Sequence, residues 1–126
     1  MLKCFTVYLP LKKGDIVVNI EMLKHEIVER LKPLEPEKII LFGSYAYGTP
    51  TQESDIDLYV VTKDDFIPQS WREKSNLHLK VTQLIDSLRD HLPVDTIVHT
   101  KAMHRKFVEM DSMFSRKILT QGVSLL

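Results

Sequence analysis

Three short apolar segments set the framework that this chain of 126 residues can build. They are KIILF at 38–42, DIDLYVVT at 55–62 and VDTIVH at 94–99, and each adjoins a proline, a glycine or a charged residue. Segments of this length, rich in branched and aromatic side chains, are typical of β-strands. A looser alternation over 2–11 predicts a further edge strand, followed by a turn at 12–15.

Between these segments, apolar residues recur at the spacing of a helix. The first helix is predicted to start after Asn19, a favourable N-cap, and to stop before Pro33. Its apolar positions recur at helical spacing: Ile20, Leu23, Ile27 and Leu31. A longer helix is predicted to begin at Ser70, which forms a capping box with Glu73, and to end at Pro93. Its apolar face comprises Leu77, Val81, Leu84, Ile85, Leu88 and Leu92.

The carboxyl-terminal part of the chain predicts one more helix. We expect it from near Ser112 to Gln121, with Gly122 as a C-cap in the left-handed conformation. Residues 123–126 are expected to trail off. The apolar residues near this helix either pack inside or form part of a partner surface: Met103, Met110, Met113 and Phe114. The order of elements is mixed α and β, in a single domain over 1–126.

Charge and cysteine content narrow the class of protein. The 17 basic and 17 acidic residues cancel, so no long-range positive field favours nucleic acid or an anionic membrane as partner. Cys4 is the only cysteine, which excludes an internal disulfide and suits a reducing compartment. No apolar run approaches the roughly 20 residues that span a bilayer, and the first residues do not resemble a secretory signal. We therefore expect a soluble, cytoplasmic protein without membrane or nucleic-acid partners.

The most informative stretch is GSYAYGTPTQESDIDL, residues 43–58. Gly43 has no side chain, so a phosphate group can approach its backbone closely. Ser44 adds a hydroxyl and a backbone N–H at the start of a short helix, and Gly48 closes the segment. An ordinary turn is the alternative interpretation. A helix N-terminus stabilises a negative charge by only about 0.3–1 kcal/mol, so a bound triphosphate would also need cations.

Two aspartates at the start of the second strand can supply those cations. Side chains two positions apart on a strand point to the same face, so Asp55 and Asp57 converge while Ile56 enters the core. Two carboxylates about 4 Å apart repel by about 4 kcal/mol at an effective dielectric near 20, and a bound dication reverses this cost. Carboxylate oxygens suit magnesium. A solvated strand start is the alternative interpretation.

Asp95 is the candidate for a third carboxylate. It is the only acidic residue in the third strand, next to the apolar Val94. A two-metal site requires a further carboxylate on a neighbouring strand, beside the attacking hydroxyl. A charged side chain in an apolar strand needs a partner, and a metal ion would be one. Asp95 could instead simply cap the strand.

Together these residues resemble a known family. Gly43 and Ser44, then Gly48, the run SDIDL at 54–58 and Asp95 match the GSxxxG…SDIDL…D signature of the minimal nucleotidyltransferases in the DNA polymerase beta superfamily. The likeness extends from about Lys38 to Asp95, and more faintly through the last helix. It implies an α/β (α+β) chain with the nucleotidyltransferase fold, in which a mixed central sheet carries helices mainly on one side.

The resemblance also implies a chemistry. In that family the two strand aspartates, here Asp55 and Asp57, bind two magnesium ions. The third, here Asp95, binds the catalytic ion and promotes deprotonation of the acceptor. The glycine and serine turn, here Gly43 and Ser44 closed by Gly48, binds a nucleoside triphosphate such as ATP.

Family resemblance suggests a partner as well. Minimal members are commonly paired with a small helical protein of the HEPN type, as antitoxin to its toxin, and some transfer AMP onto it. We expect this chain to do the same, because a domain of this size lacks room for a separate acceptor domain. Two alternatives stay open: an antitoxin-like binding subunit with weak or no catalysis, and a transferase that modifies a small molecule such as an antibiotic.

One position departs from the family pattern. Many minimal members have arginine just before the second glycine, where this chain has Tyr47. A tyrosine supplies no positive charge to a phosphate, although Tyr45 or Tyr47 could stack on a base. Among the five histidines, which show no paired metal-ligand spacing, His99 is the one that could approach the site, since it lies four positions beyond Asp95 on the same strand face.

Overall fold

The computed structural model describes residues 20–47, 55–89 and 93–126 of the chain. The predicted edge strand over 2–11, the N-cap Asn19 and the glycine Gly48 lie outside these residues. Within them, the elements in chain order are α1 (Ile20–Leu31), a short 3-10 helix (Lys32–Leu34), β1 (Lys38–Phe42), α2 (Ser44–Tyr47), β2 (Ile56–Val61), α3 (Trp71–Arg89), β3 (Val94–His99), α4 (Lys101–Met110), α5 (Met113–Gln121) and β4 (Val123–Ser124).

The four strands form one mixed sheet in the order β3-β2-β1-β4. β1 is antiparallel to both of its neighbours, β2 and β4, whereas β2 and β3 are parallel. Two parallel neighbours need a crossover connection, because the chain must return to the same end of the sheet. The helix α3 provides that connection.

The two faces of the sheet are covered differently. Strand residues that alternate along one face pack against α1 and α3 in the larger core: Ile39, Leu41, Ile56, Leu58, Val60, Val94 and Val98. On the other face, α4 and α5 bury a smaller cluster of Ile40, Tyr59, Val61, Phe107 and Ile118. The predicted mixed sheet is confirmed, with its two longest helices on one side and two shorter ones on the other.

The start of α3 confirms Ser70 as the N-cap but not the reciprocal bond of the predicted capping box. The Glu73 N–H donates to Ser70 Oγ at 3.2 Å, and Glu73 Oε1 accepts from the Gln69 N–H at 2.7 Å. The carboxylate therefore reaches one residue further back than the usual reciprocal bond, which normally returns to the N-cap N–H. None of the described helices is both long enough and apolar enough to cross a membrane.

The carboxyl-terminal region differs from its prediction in two ways. Gly122 has φ −71° and ψ 160°, so it is extended and not left-handed. A Cβ at this position would lie 2.4 Å from the Ile118 carbonyl oxygen and 2.5 Å from Ile40 Cγ2. The glycine is thus required by close packing, because the chain turns directly from α5 into β4. Val123 pairs with Leu41 in the sheet, so this segment does not trail off.

Candidate active site

The sheet brings the ends of three strands to one rim. Asp57 of β2 lies opposite Asp95 of β3 on one side and opposite Phe42, the last residue of β1, on the other. In a strand pair, side chains directly opposite each other point to the same face. Asp57 and Asp95 therefore lie side by side, and Asp55 immediately precedes β2.

The negative charges of Asp55 and Asp95 act on the carboxyl of Asp57. Asp57 is half-buried, whereas Asp55 and Asp95 are exposed. Burial raises the pKa of the Asp57 carboxyl above its ordinary value, and the negative charges of Asp95 and then Asp55 raise it further. The ionised group thus gains nothing from its protein neighbours, and a cation between these carboxylates would relieve the repulsion.

Both the turn and the neighbouring Asp57 require a glycine at position 43. It has φ +82°, a conformation that side-chain-bearing residues rarely adopt. A Cβ built on it would lie 2.1 Å from Asp57 Oδ2. The Gly43 carbonyl oxygen accepts the Ala46 N–H at 3.0 Å, which closes the turn into α2. The backbone of Gly43, which was predicted to let a phosphate approach closely, therefore also leaves space for the Asp57 carboxylate.

The residues that follow Gly43 place the predicted anion-binding turn at the same rim. Ser44 begins α2 and is half-buried. Tyr45 is only 7% exposed and packs in the larger core, so it does not present a ring for a base to stack on. Burial raises the pKa of its phenol, and the charge of Asp55 contributes to the same shift.

The carboxylate oxygens at the rim are of the ligand type that magnesium prefers. Within residues 20–47, 55–89 and 93–126, no three His, Cys, Asp or Glu side chains are gathered closely enough to hold a metal ion by themselves. Magnesium, however, is usually bound through one or two carboxylates together with water and substrate phosphates. The oxygen donors of Asp55, Asp57 and Asp95, which repel one another without a cation, suit such a partial site.

His99 does not belong to this group of residues. It pairs in register with Val61 at the far end of β3, and its Nδ1 lies 3.0 Å from the Tyr59 hydroxyl. The same hydroxyl lies 2.8 Å from His104 Nδ1. Because one hydroxyl donates a single proton, one imidazole accepts from Tyr59 and the other donates to it. The sequence offered no sign of His104, since α4 was not predicted.

Comparison with known proteins shows which family the chain resembles. Residues 20–119 match the family described as Nucleotidyltransferase domain. Over 95 residues the chain is 30% identical to a protein of Methanocaldococcus jannaschii named "Putative protein adenylyltransferase MJ0141". That alignment covers 75% of this chain and 90% of the relative.

Solved structures show the same fold. A crystal structure of a toxin-antitoxin with AMP-PNP superposes with a TM-score of 0.51 at 24% identity, over 82% of this chain and 72% of that chain. The crystal structure of a Sulfolobus solfataricus protein assigned to the nucleotidyltransferases gives a TM-score of 0.50 at 23% identity, over 83% and 77%. At these identities the likeness concerns the fold.

Proposed function

Because the chain belongs to the nucleotidyltransferase domain family and is a nucleotidyltransferase, we propose that it transfers AMP from ATP to a hydroxyl group of a partner protein. The observation that carries the proposal is the pairing of Asp57 with Asp95 on parallel strands beside Gly43. The likeness to MJ0141, which extends over 90% of that relative, supports a protein as the acceptor.

In the proposed reaction the acceptor hydroxyl attacks the α-phosphorus of ATP. A new bond forms between the acceptor oxygen and phosphorus, the bond from phosphorus to the bridging oxygen breaks, and pyrophosphate leaves. Two magnesium ions, when bound, supply positive charge to the phosphates. Positioning accounts for much of the remaining rate enhancement in reactions of this kind.

Each rim residue has a proposed role in that reaction. Asp55 and Asp57 hold magnesium, and Asp95 holds the catalytic ion and promotes loss of the acceptor proton. The bare backbone of Gly43, with the Ser44 hydroxyl and N–H, receives the triphosphate, and Gly48 is proposed to contribute to the same binding segment. Asp95 suits its role because it is exposed on β3, which lies at one edge of the sheet in the described part of the chain, where an acceptor can reach it.

We further propose that the partner is a small helical protein of the HEPN type, with this chain as the antitoxin-like member of the pair. The fold that the chain shares with a toxin-antitoxin bound to AMP-PNP supports this proposal. We also propose that the pair acts in the cytoplasm, which suits a chain with one cysteine.

Labelled ATP tests the proposal directly. The purified chain is incubated with magnesium and ATP labelled at the α-phosphate, with and without the protein encoded by the adjacent gene. We expect label on that protein with the wild type, and at least a hundredfold less with Asp57→Asn. Glu29→Gln is the matched control, because Glu29 lies on α1, on the other face of the sheet, and pairs with Lys32 in the described part of the chain.

The outcomes separate the alternatives. Equal labelling by wild type and Asp57→Asn would contradict the proposed site. Tight binding of the neighbour by both forms, with no label on any protein, would identify a binding subunit without catalysis. Label that appears only on an added small molecule would identify a small-molecule transferase.

A further inference from the structure

A groove runs beside α4 on the same face of the sheet as the aspartates. It holds a cavity of about 210 Å³ with an almost entirely apolar lining of Ile67, His99, Met103, Lys106, Phe107 and Met110. We call this cavity the α4 groove. Nothing in the proposed transfer reaction uses these residues.

Apolar side chains at the end of α4 and at the start of α5 are exposed to solvent. Met110 is 68% exposed, and Met113, across the turn between α4 and α5, is 85% exposed. Phe114, which follows it, is 48% exposed. Clustered exposed apolar side chains mark interaction sites, and methionine adapts readily to the shape of a partner.

One lysine that lines the groove has no acidic partner among the described residues. Lys101 lies 3.7 Å from Glu37, and Arg105 lies 2.8 Å from Asp65, so both cations have carboxylate partners. Lys106 is exposed and makes no ion pair or hydrogen bond with any residue in the described part of the chain. The groove therefore combines an apolar cavity with one lysine that is available to an acidic group.

The floor of the groove is uncharged. The Nδ1 atom of His99 is occupied by the Tyr59 hydroxyl. Burial lowers the pKa of His99 to about 4, with smaller contributions from His104 and Lys74. The imidazole is therefore neutral near pH 7, and a ligand in the groove would meet the charge of Lys106.

The groove is connected to the catalytic rim along β3. His99 lies four residues beyond Asp95 on the same face, which corresponds to about 13 Å at roughly 3.3 Å per residue. The half-buried Ile97 lies between them on that face. An acceptor that binds in the groove can therefore present a second group to Asp95.

We propose that the α4 groove docks the acceptor protein, an inference that rests on the proposed function. An apolar side chain of the acceptor enters the cavity, an acidic side chain beside it pairs with Lys106, and the hydroxyl to be modified reaches Asp95. The spacing corresponds to about four residues of extended chain, or about nine residues of helix at 1.5 Å per residue. ATP itself is a poor occupant, because its phosphates are held at the Gly43 rim and adenine carries no negative charge for Lys106.

Two exposed positions test the docking. Lys106→Glu reverses the charge, and Met110→Ser removes an apolar contact without opening the core. We measure binding of the protein encoded by the adjacent gene by calorimetry, and the KM of AMP transfer for that protein and for ATP. Each substitution is expected to weaken binding roughly tenfold, equal to about 1.4 kcal/mol, with the loss confined to the acceptor.

Matched controls lie on the opposite side of the molecule. Lys32→Glu makes the same charge reversal in the exposed turn after α1, and Leu79→Ser removes an exposed apolar side chain from α3. Both should bind the acceptor as the wild type does. Thermal unfolding of all four variants shows whether each has folded.

The results distinguish failure of the docking proposal from failure of the proposed function. AMP transfer with wild-type acceptor KM in Lys106→Glu and Met110→Ser would overturn the docking site and leave the function standing. A tenfold rise in the KM for ATP instead would assign the groove to the nucleotide. A neighbour that does not bind the wild type also overturns docking. Binding that is lost in both variants, without AMP transfer by any form, supports docking and overturns the function.

Discussion

The carboxylate of Asp57 occupies the space that a side chain at Gly43 would need: a Cβ there would lie 2.1 Å from Asp57 Oδ2. Gly43→Ala must therefore displace the carboxylate and also hold an alanine at φ +82°. We expect a loss of stability of roughly 1–2 kcal/mol from the backbone conformation and a loss of AMP transfer of at least a hundredfold. Urea unfolding and the labelled-ATP assay measure the two effects separately.

Gly122→Ala is the informative comparison for this substitution. Its backbone is extended, so the cost is steric, from the Ile118 carbonyl oxygen and the Ile40 side chain. We expect it to lower stability while the folded fraction keeps wild-type transfer. Gly43→Ala with unchanged specific activity would contradict the proposed role of the turn.

Removing the charge of Asp57 should affect thermal stability in opposite directions with and without metal. The described part of the structure shows no hydrogen bond to its carboxylate, and burial, Asp95 and Asp55 all disfavour its ionised form. We therefore expect Asp57→Asn to raise the Tm in EDTA slightly, because water screens much of the repulsion at this partly exposed carboxylate. The rise in Tm that magnesium and a non-hydrolysable ATP analogue give the wild type should disappear. A lower Tm in EDTA would argue that Asp57 has a stabilising partner.

His99 should make the fold sensitive to mild acid. Its pKa is about 4 in the folded protein, against an ordinary value of 6.5, so the unfolded chain binds a proton more readily. The stability from the neutral imidazole is complete above pH 6.5 and is lost as the pH falls toward 4. Urea unfolding at pH 7, 6 and 5 measures this loss. His99→Gln should reduce the slope, and His78→Gln, at an exposed position of α3, should leave it unchanged.

Tyr59→Phe tests the hydrogen bonds between the two histidines. Tyr59 is fully buried, and its hydroxyl bonds to both His99 and His104. Without it two imidazole nitrogens lose their partner, so we expect a cost of about 1–2 kcal/mol in the free energy of unfolding. Tyr45→Phe removes a hydroxyl that makes no hydrogen bond in the described residues and should cost less. An equal cost for both would show that the two histidine contacts contribute nothing.

The parts of the fold that the sequence predicted are those with a strong local signal. Residues 38–42 and 94–99 form strands with the predicted bounds, and β2 lies within the predicted 55–62. α1 ends before Pro33 as its apolar positions indicate, and α5 starts after its N-cap Ser112 and ends at Gln121. In each case an apolar pattern and a boundary residue agree, so the local and the tertiary preferences coincide.

The missed elements lack such agreement. α4 buries only Phe107, so its apolar pattern is short. Its N-cap Thr100, whose Oγ1 accepts the Met103 N–H at 3.1 Å, was the available signal, without the usual Glu at N3. β4 has two residues, and its pairing with β1 is a long-range contact that no local pattern reports. The contact of Gly43 with Asp57 and the distance of His99 from the aspartates likewise depend on register and strand polarity.

The crossover through α3 ties the chemistry to complete folding. Asp57 and Asp95 meet only because β2 and β3 align across a helix of 19 residues, and neither half of the chain holds the pair alone. Contacts between segments so far apart form late, since loop closure must precede any gain from them. A partly folded chain could therefore have the turn at Gly43 without Asp95 in place beside Asp57. The rate of AMP transfer would then report the fraction of molecules with an intact sheet.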